Sequence, residues 1–141
     1  MGVVIEDLEG HEGYADRRLV DGRLAGGVWS HETSGFTEYV AACGCGWSSQ
    51  DGYPPTQQGE RAALENWHEA HAAPLLAHQA GQRRAELAQV LRALGGIADF
   101  VDNPANLPRI ARAAERAGRL TEAVQRDLER QATQREAGGE R

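Results

Sequence analysis

The two cysteines and two of the five histidines are the residues of this chain best suited to chemistry. Cys43 and Cys45 are its only cysteines, and His68 and His71 stand three residues apart further along. Zinc in proteins takes four ligands in a tetrahedron, commonly thiolate sulfur and imidazole nitrogen. Because helical residues three apart lie on adjacent turns, both imidazoles can reach one ion. We therefore predict one zinc ion, held by Cys43, Cys45, His68 and His71.

A β-hairpin is predicted to carry the cysteines. Residues 28–29 are predicted to lie in its first strand, residues 32–35 in its turn and residues 36–43 in its second strand. A short third strand is possible at residues 47–49. The sequence DGYPP at 51–55 then predicts an exposed loop.

Glycines at 44 and 46 are predicted to reverse the chain at the cysteines, because glycine adopts backbone angles that other residues resist. In a regular strand residues 43 and 45, which are two positions apart, would project from the same face about 6.6 Å apart, which is too far to be ideal for one ion. The folding back at Gly44 is expected to bring the sulfurs of Cys43 and Cys45 together.

A helix is predicted to present the histidines. Thr56 is a suitable N-cap, and the helix is expected to run to about Ala73, before Pro74. Helical spacing places its apolar and imidazole residues on one stripe, which faces the packed side. The stripe consists of Leu64, Trp67, His68, His71 and Leu75.

The other three histidines are weaker candidates. In the predicted hairpin His31 lies roughly 17 Å from the cysteines, which excludes it. His78 follows Pro74 and is expected to be an exposed helix residue. His11 lies in a polar segment, residues 7–18, for which no structure is predicted.

Three alternatives to a zinc site remain open. The cysteines could be small apolar filler and the histidines ordinary helix residues. Cys43 and Cys45 could form a reversible disulfide, although a bridge across one residue is strained and easily reduced. A hydrolytic site is the weakest alternative, because HEAH lacks one residue of the His-Glu-x-x-His pattern and two thiolates would leave no open position for water.

The C-terminal part is predicted to be helical. Apolar residues at Leu87, Val90, Leu91, Leu94 and Ile97 form one stripe, and VDNPANLP then interrupts the pattern. A second stripe has spacing close to three and four, which indicates a helical hairpin or a coiled-coil seam. It consists of Leu107, Ile110, Ala114, Ala117, Val124 and Leu128.

These elements together predict an α+β fold in two parts. Residues 1–78 would form a zinc-stabilised module of a β-hairpin and a helix, and residues 79–141 a helical arm. Charge divides in the same way: residues 1–81 carry four arginines and twelve acidic residues, whereas residues 82–141 carry eleven arginines and nine acidic residues.

Composition bounds the class of protein. The 141 residues are 40% hydrophobic and 26% charged, which is typical of a soluble globular chain. No apolar run of about 18 residues predicts a membrane span, and the N-terminus lacks the pattern of a signal peptide. Two cysteines are too few for a disulfide scaffold, so a reducing cytoplasm is expected. Fifteen arginines without a lysine suggest a GC-rich, bacterial coding sequence.

YVAACGCGWSS followed by ERAALENWHEAH resembles small actinobacterial proteins of unassigned function that carry Cys-x-Cys-Gly-Trp and an Ala-rich helix with Trp and His. The resemblance covers residues 28–73. It implies a zinc-finger-like or zinc-ribbon-like fold. The matching positions are Cys43, Cys45, Gly46, Trp47, Trp67 and His71.

The function predicted from these observations is that of a non-enzymatic zinc-binding interaction protein, whose helical arm self-associates or docks on a protein partner. Nucleic-acid binding is the alternative, since Arg109, Arg112, Arg116 and Arg119 share one helix face, but the net charge of −6 opposes it. A redox-active Cys-Gly-Cys protein is less favoured. No nucleophile, acid–base pair or phosphate loop indicates an enzyme.

Overall fold

The computed structural model describes residues 2–28, 30, 35–96 and 103–138. They divide into two compact units, Met1–Ala77 and His78–Arg141. The fold combines a small antiparallel sheet with long helices, so the predicted α+β class is confirmed. In chain order the elements are β1 (Gly13–Leu19), β2 (Phe36–Cys43), β3 (Ser48–Tyr53), α1 (Gln57–Trp67), a π-helical turn (His68–Ala72), α2 (Ala73–Gly95), a 3-10 turn (Pro104–Asn106) and α3 (Leu107–Gly138).

The sheet has β2 at its centre, between β1 and β3. β2 has the predicted bounds. The strand predicted to pair with it in a hairpin, at residues 28–29, is wrong. β1 pairs with it instead, from Gly13 opposite Cys43 to Leu19 opposite Phe36. Val28 lies in no strand, and residues 29 and 31–34 are outside the described part of the chain.

β1 comes from the polar segment for which the sequence predicted no structure. Its polar side chains have partners at the sheet: Arg18 pairs with Glu38 at 2.9 Å, and the guanidinium of Arg17 lies 4.8 Å from the centroid of the Phe36 ring. The buried carboxylate of Asp16 accepts hydrogen bonds from the backbone N–H groups of Arg17, Gly26 and Gly27. Such cross-strand pairs stabilise a sheet even where the strand is not apolar.

β3 is longer than predicted. It extends through Asp51, Gly52 and Tyr53, where DGYPP predicted a loop. Tyr39 of β2 lies opposite Tyr53, which anchors this end of the strand against the core.

The helix begins as predicted, because the hydroxyl of Thr56 accepts a hydrogen bond from the backbone N–H of Gly59 at 3.1 Å. The residues on the buried face of this helix lie about one position away in sequence from those of the predicted stripe. Small alanines, together with Trp67, supply most of that face, and His68 lies outside it. The core joins helix and sheet through Leu8, Tyr39, Ala41, Cys43, Ala63, Trp67, Ala72 and Leu76.

The helix does not end near Ala73. A π-helical turn spans His68–Ala72, where the N–H of Ala73 donates to the carbonyl of His68, and α2 then continues to Gly95. The extra residue in this turn explains why the buried positions step by five from Trp67 to Ala72 rather than by four. Pro74 has no N–H to donate to the preceding turn, and it directly follows the π-helical turn, where the regular α-helical hydrogen-bond pattern is already interrupted.

In the second unit, α3 pairs with the part of α2 from His78 onward. Arg83 and Asp127 form a two-point ion pair, with donor–acceptor distances of 2.8 and 2.7 Å, and Arg116 pairs with Glu86. These contacts join helices of one chain, so the predicted helical hairpin is present. Among the described residues, no helix is long and apolar enough to cross a membrane.

Candidate metal centre

Four side chains converge beside the sheet. His11, Cys43, Cys45 and His71 each offer one ligand atom, and these atoms all lie within 4.8 Å of one another. His11 precedes β1, Cys43 ends β2, Cys45 lies in the turn to β3, and His71 lies in the π-helical turn. Four separate parts of the first unit therefore meet at one point, and the group could hold a metal ion.

Three of the separations between the ligand atoms are close to the edges of a tetrahedral site. Metal–sulfur bonds of about 2.3 Å and metal–nitrogen bonds of about 2.05 Å give tetrahedral edges of about 3.3 Å between nitrogens and about 3.6 Å between nitrogen and sulfur. His11 Nδ1 lies 3.2 Å from His71 Nε2. Cys43 Sγ lies 3.7 Å from His11 Nδ1, and Cys45 Sγ lies 3.3 Å from His71 Nε2. All pairs of these atoms lie within 4.8 Å, so no pair needs to approach by more than about 1.3 Å to close on an ion.

The turn that presents the cysteines is a three-residue hairpin loop. The N–H of Gly46 donates to the carbonyl of Cys43, and the N–H of Cys43 donates to the carbonyl of Trp47, both at 2.9 Å. Gly46 has φ of 94°, in the left-handed region that this loop type requires. Gly44 does not have positive φ, so the prediction that Gly44 allows the reversal is wrong. Gly46 does so.

Backbone contacts hold His11 beside that turn. The N–H of His11 donates to the carbonyl of Leu8 at 3.1 Å, and Leu8 is buried in the core. The N–H of Gly44 donates to the carbonyl of Glu12 at 2.8 Å. The segment before β1 is thus tied to the core on one side and to the cysteine turn on the other.

Stacking and the π-helical turn position His71. The Trp47 ring stacks on the imidazole, with centroids 4.6 Å apart and planes inclined by 13°. The next residue, Ala72, is fully buried in the core and fixes the rotation of the turn. His71 therefore reaches the cluster from a helix that is anchored on both sides.

The predicted fourth ligand, His68, lies outside the cluster. It is exposed, whereas His71 is half-buried. The wider π-helical turn rotates residues three apart further from each other than an α-helix does, so the two imidazoles do not point the same way. His78 is also exposed, as predicted, and His31 is outside the described residues.

Sequence reasoning missed His11, which takes the fourth position. Its neighbourhood is polar, and the feature that places it is the pairing of Gly13 with Cys43 at the start of β1. A local signal was available in GHEGY, where glycines on both sides of His11 favour a tight turn.

The protonation of the cluster reflects its crowding. Burial, and then the nearby His11, lower the pKa of His71. Partial removal of the Cys45 thiol from water raises its pKa, and Cys43 adds to this rise. Both cysteines are free thiols. Since a metal binds thiolate and neutral imidazole, it would displace the thiol protons that this environment otherwise retains.

The arginines proposed for nucleic-acid contact lie on α3, in the second unit. Arg109, Arg112, Arg116 and Arg119 are all exposed. Arg116 pairs with Glu86 of α2, and Arg119 lies 3.9 Å from Glu115. Acidic side chains thus offset part of this basic face.

Comparison with protein-family models, with curated proteins and with solved structures finds no match to this chain.

Proposed function

We propose that the first unit is a structural zinc-binding module. The convergence of two thiols and two imidazoles, whose ligand atoms all lie within 4.8 Å of one another, carries this proposal. Zinc favours this set of ligands, because it accepts both sulfur and imidazole nitrogen and prefers tetrahedral geometry.

The ligand set supports a structural role rather than a catalytic one. Catalytic zinc sites keep a position open for water or substrate, whereas His11, Cys43, Cys45 and His71 would fill all four. Their positions support the same conclusion. An ion there would cross-link the N-terminal segment, the end of β2, the following turn and the helix, which are elements that a small core holds only weakly.

We further propose that the protein is a non-enzymatic interaction protein. The metal would stabilise the first unit, and the helical arm of the second unit would engage a protein or another copy of the chain. Apolar side chains left exposed on the arm, among them Leu91 and Leu128, support this role.

Metal analysis of the protein purified under reducing conditions, without added metal, tests the zinc proposal. We expect about one equivalent of zinc per chain, removed by a strong chelator with a loss of thermal stability. Cobalt substitution should then give the absorption of a tetrahedral site with thiolate ligands. Protein that contains no metal and takes up neither zinc nor cobalt would exclude the proposal.

A further inference from the structure

The helical hairpin of the second unit has one charged side and one apolar side. The ion pair between Arg116 and Glu86 spans the charged side. In an antiparallel helix pair, the residues that flank the seam on one side of each helix meet each other. The opposite side carries leucines that are about half exposed: Leu91 at 53%, Leu107 at 48% and Leu128 at 51%.

We name this apolar side the open face. Its apolar and small residues are Gly81 and Leu91 on α2, and Leu107, Ala114, Gly118 and Leu128 on α3; the exposed polar residues Arg84, Thr121 and Gln125 lie among them. Heptad spacing places these residues beside the seam formed by Leu87, Val90, Leu120 and Val124, whose members are themselves only half-buried. Two helices alone therefore leave much of their apolar surface in water.

The shapes of the two helices on the open face are complementary. The contacts of Arg83 with Asp127, of Glu86 with Arg116 and of Arg84 with Gln131 each indicate a slightly different level of one helix against the other, and we take the mean of the three as the register. At that register, Leu128 of α3 is level with Gly81 of α2. Leu91 of α2 is level with Ala114 and Gly118 of α3. Leu91 and Leu128 thus each have a small residue at about their own height on the opposite helix, whereas Leu107 lies beyond the level at which α2 ends.

The charges at the rim of the open face are complementary in the same way. On α2, exposed Arg92 borders it and exposed Arg84, one heptad before Leu91, lies within it, and no acidic residue is present there. Exposed Glu115, Glu122 and Glu129 border it on α3. The same register puts Arg92 level with Glu115. A two-fold axis parallel to the helices would stack α2 of one copy on α3 of the other and bring these opposite charges together.

We propose that the open face binds a second copy of this chain and forms an antiparallel four-helix bundle. This inference rests on the proposed interaction role of the arm and names its partner. Eighteen residues of α2 give a face about 27 Å long, and two helices make it about 20 Å wide, so roughly 1,000 Å² would be buried in total. That area is typical of a weak, reversible interface, and we expect a micromolar dissociation constant.

Sedimentation of the full chain, under reducing conditions and across about 1 to 500 µM, tests the dimer. We expect a reversible monomer–dimer equilibrium. The double variant Leu91→Glu and Leu128→Glu should raise the dissociation constant at least about 100-fold, because it would bury two charges. Gln89→Glu with Thr133→Glu adds the same charge at exposed positions away from the open face and should leave it unchanged. Far-ultraviolet circular dichroism checks that each variant keeps its helices.

Charge reversal tests the two-fold arrangement without altering the apolar surface. Arg92→Glu alone, and Glu115→Arg alone, should each weaken the dimer about threefold to tenfold, and the two together should restore it. A chain that stays monomeric at the highest concentration overturns the proposal, as does a dimer that tolerates the two leucine changes. Metal content measured on the same samples separates the two proposals: a zinc-loaded monomer overturns only the dimer, and a metal-free dimer overturns only the zinc site.

Discussion

His11 and His71 are 60 residues apart in sequence, yet His11 Nδ1 lies 3.2 Å from His71 Nε2. This contact joins the segment before β1 to the π-helical turn. It makes His11, rather than His68, the histidine that completes the cluster with the two cysteines.

Replacement of His11 by alanine should therefore weaken metal binding strongly, and replacement of His68 should not. Loss of a residue that only supports a ligand costs about 10- to 100-fold in affinity, so loss of a ligand should cost at least 100-fold. Competition with a chromophoric zinc chelator measures both variants. His68→Ala is the matched control, because it removes an exposed imidazole from the same helical turn as His71. Equal losses in the two variants would contradict the assignment.

Gly13→Ala should destabilise the first unit by about 2 kcal/mol or more, as overpacking of a core does. A Cβ at this position would lie 2.1 Å from Cδ2 of Trp67, whose buried ring has no room to move. Chemical denaturation followed by tryptophan fluorescence measures the change. Gly35→Ala is a suitable control, since a Cβ there meets nothing within 4 Å. Wild-type stability in Gly13→Ala would show that Trp67 does not pack against this backbone.

The two glycines of the cysteine turn should differ in their tolerance of a side chain. Gly46→Ala places a Cβ at φ of 94° and should cost about 1 kcal/mol or more, in addition to weakening metal binding. Gly44→Ala should cost less, because its Cβ would make only ordinary contacts, the nearest at 3.6 Å with the carbonyl oxygen of Gly10. Thermal unfolding of the metal-loaded variants compares them. The reverse order would contradict the turn geometry.

The second unit should lose stability in acid through Asp127. The bidentate Arg83 side chain holds the pKa of this carboxyl below its ordinary value of 3.8. Because the folded pKa is lower than the unfolded one, the stabilisation is fully present above the unfolded pKa and is lost as the pH falls through the folded pKa. Far-ultraviolet circular dichroism at graded pH follows the helices, since all three tryptophans lie in the first unit.

Asp127→Asn should remove this acid-dependent part of the stability and cost about 2 kcal/mol near neutral pH, because it leaves the partly buried Arg83 without its carboxylate. Glu122→Gln on the same helix is the matched control, as that carboxylate is exposed. If Asp127→Asn retained the wild-type acid transition, the ion pair would not be its cause.

Local interactions made several parts of this protein predictable from its sequence. The N-cap of α1 depends on Thr56 and the residues that directly follow it, and β2 follows from a short run of β-forming residues. The cysteine turn depends on a glycine within the motif, although at Gly46 rather than Gly44. The helical hairpin follows from heptad spacing. In each case the determining contacts span a few residues, or repeat regularly along one helix.

Only the tertiary structure decided which residues meet. β1 is polar, and its pairing with β2 depends on partners such as Glu38 and Phe36, about twenty residues or more away in the chain. That pairing brings His11 to the cluster. The π-helical turn, which packing of Trp67 and Ala72 against the sheet sets, carries His68 away from it. A ligand set built from distant segments is a property of their packing, because no local pattern records which loop will lie beside which turn.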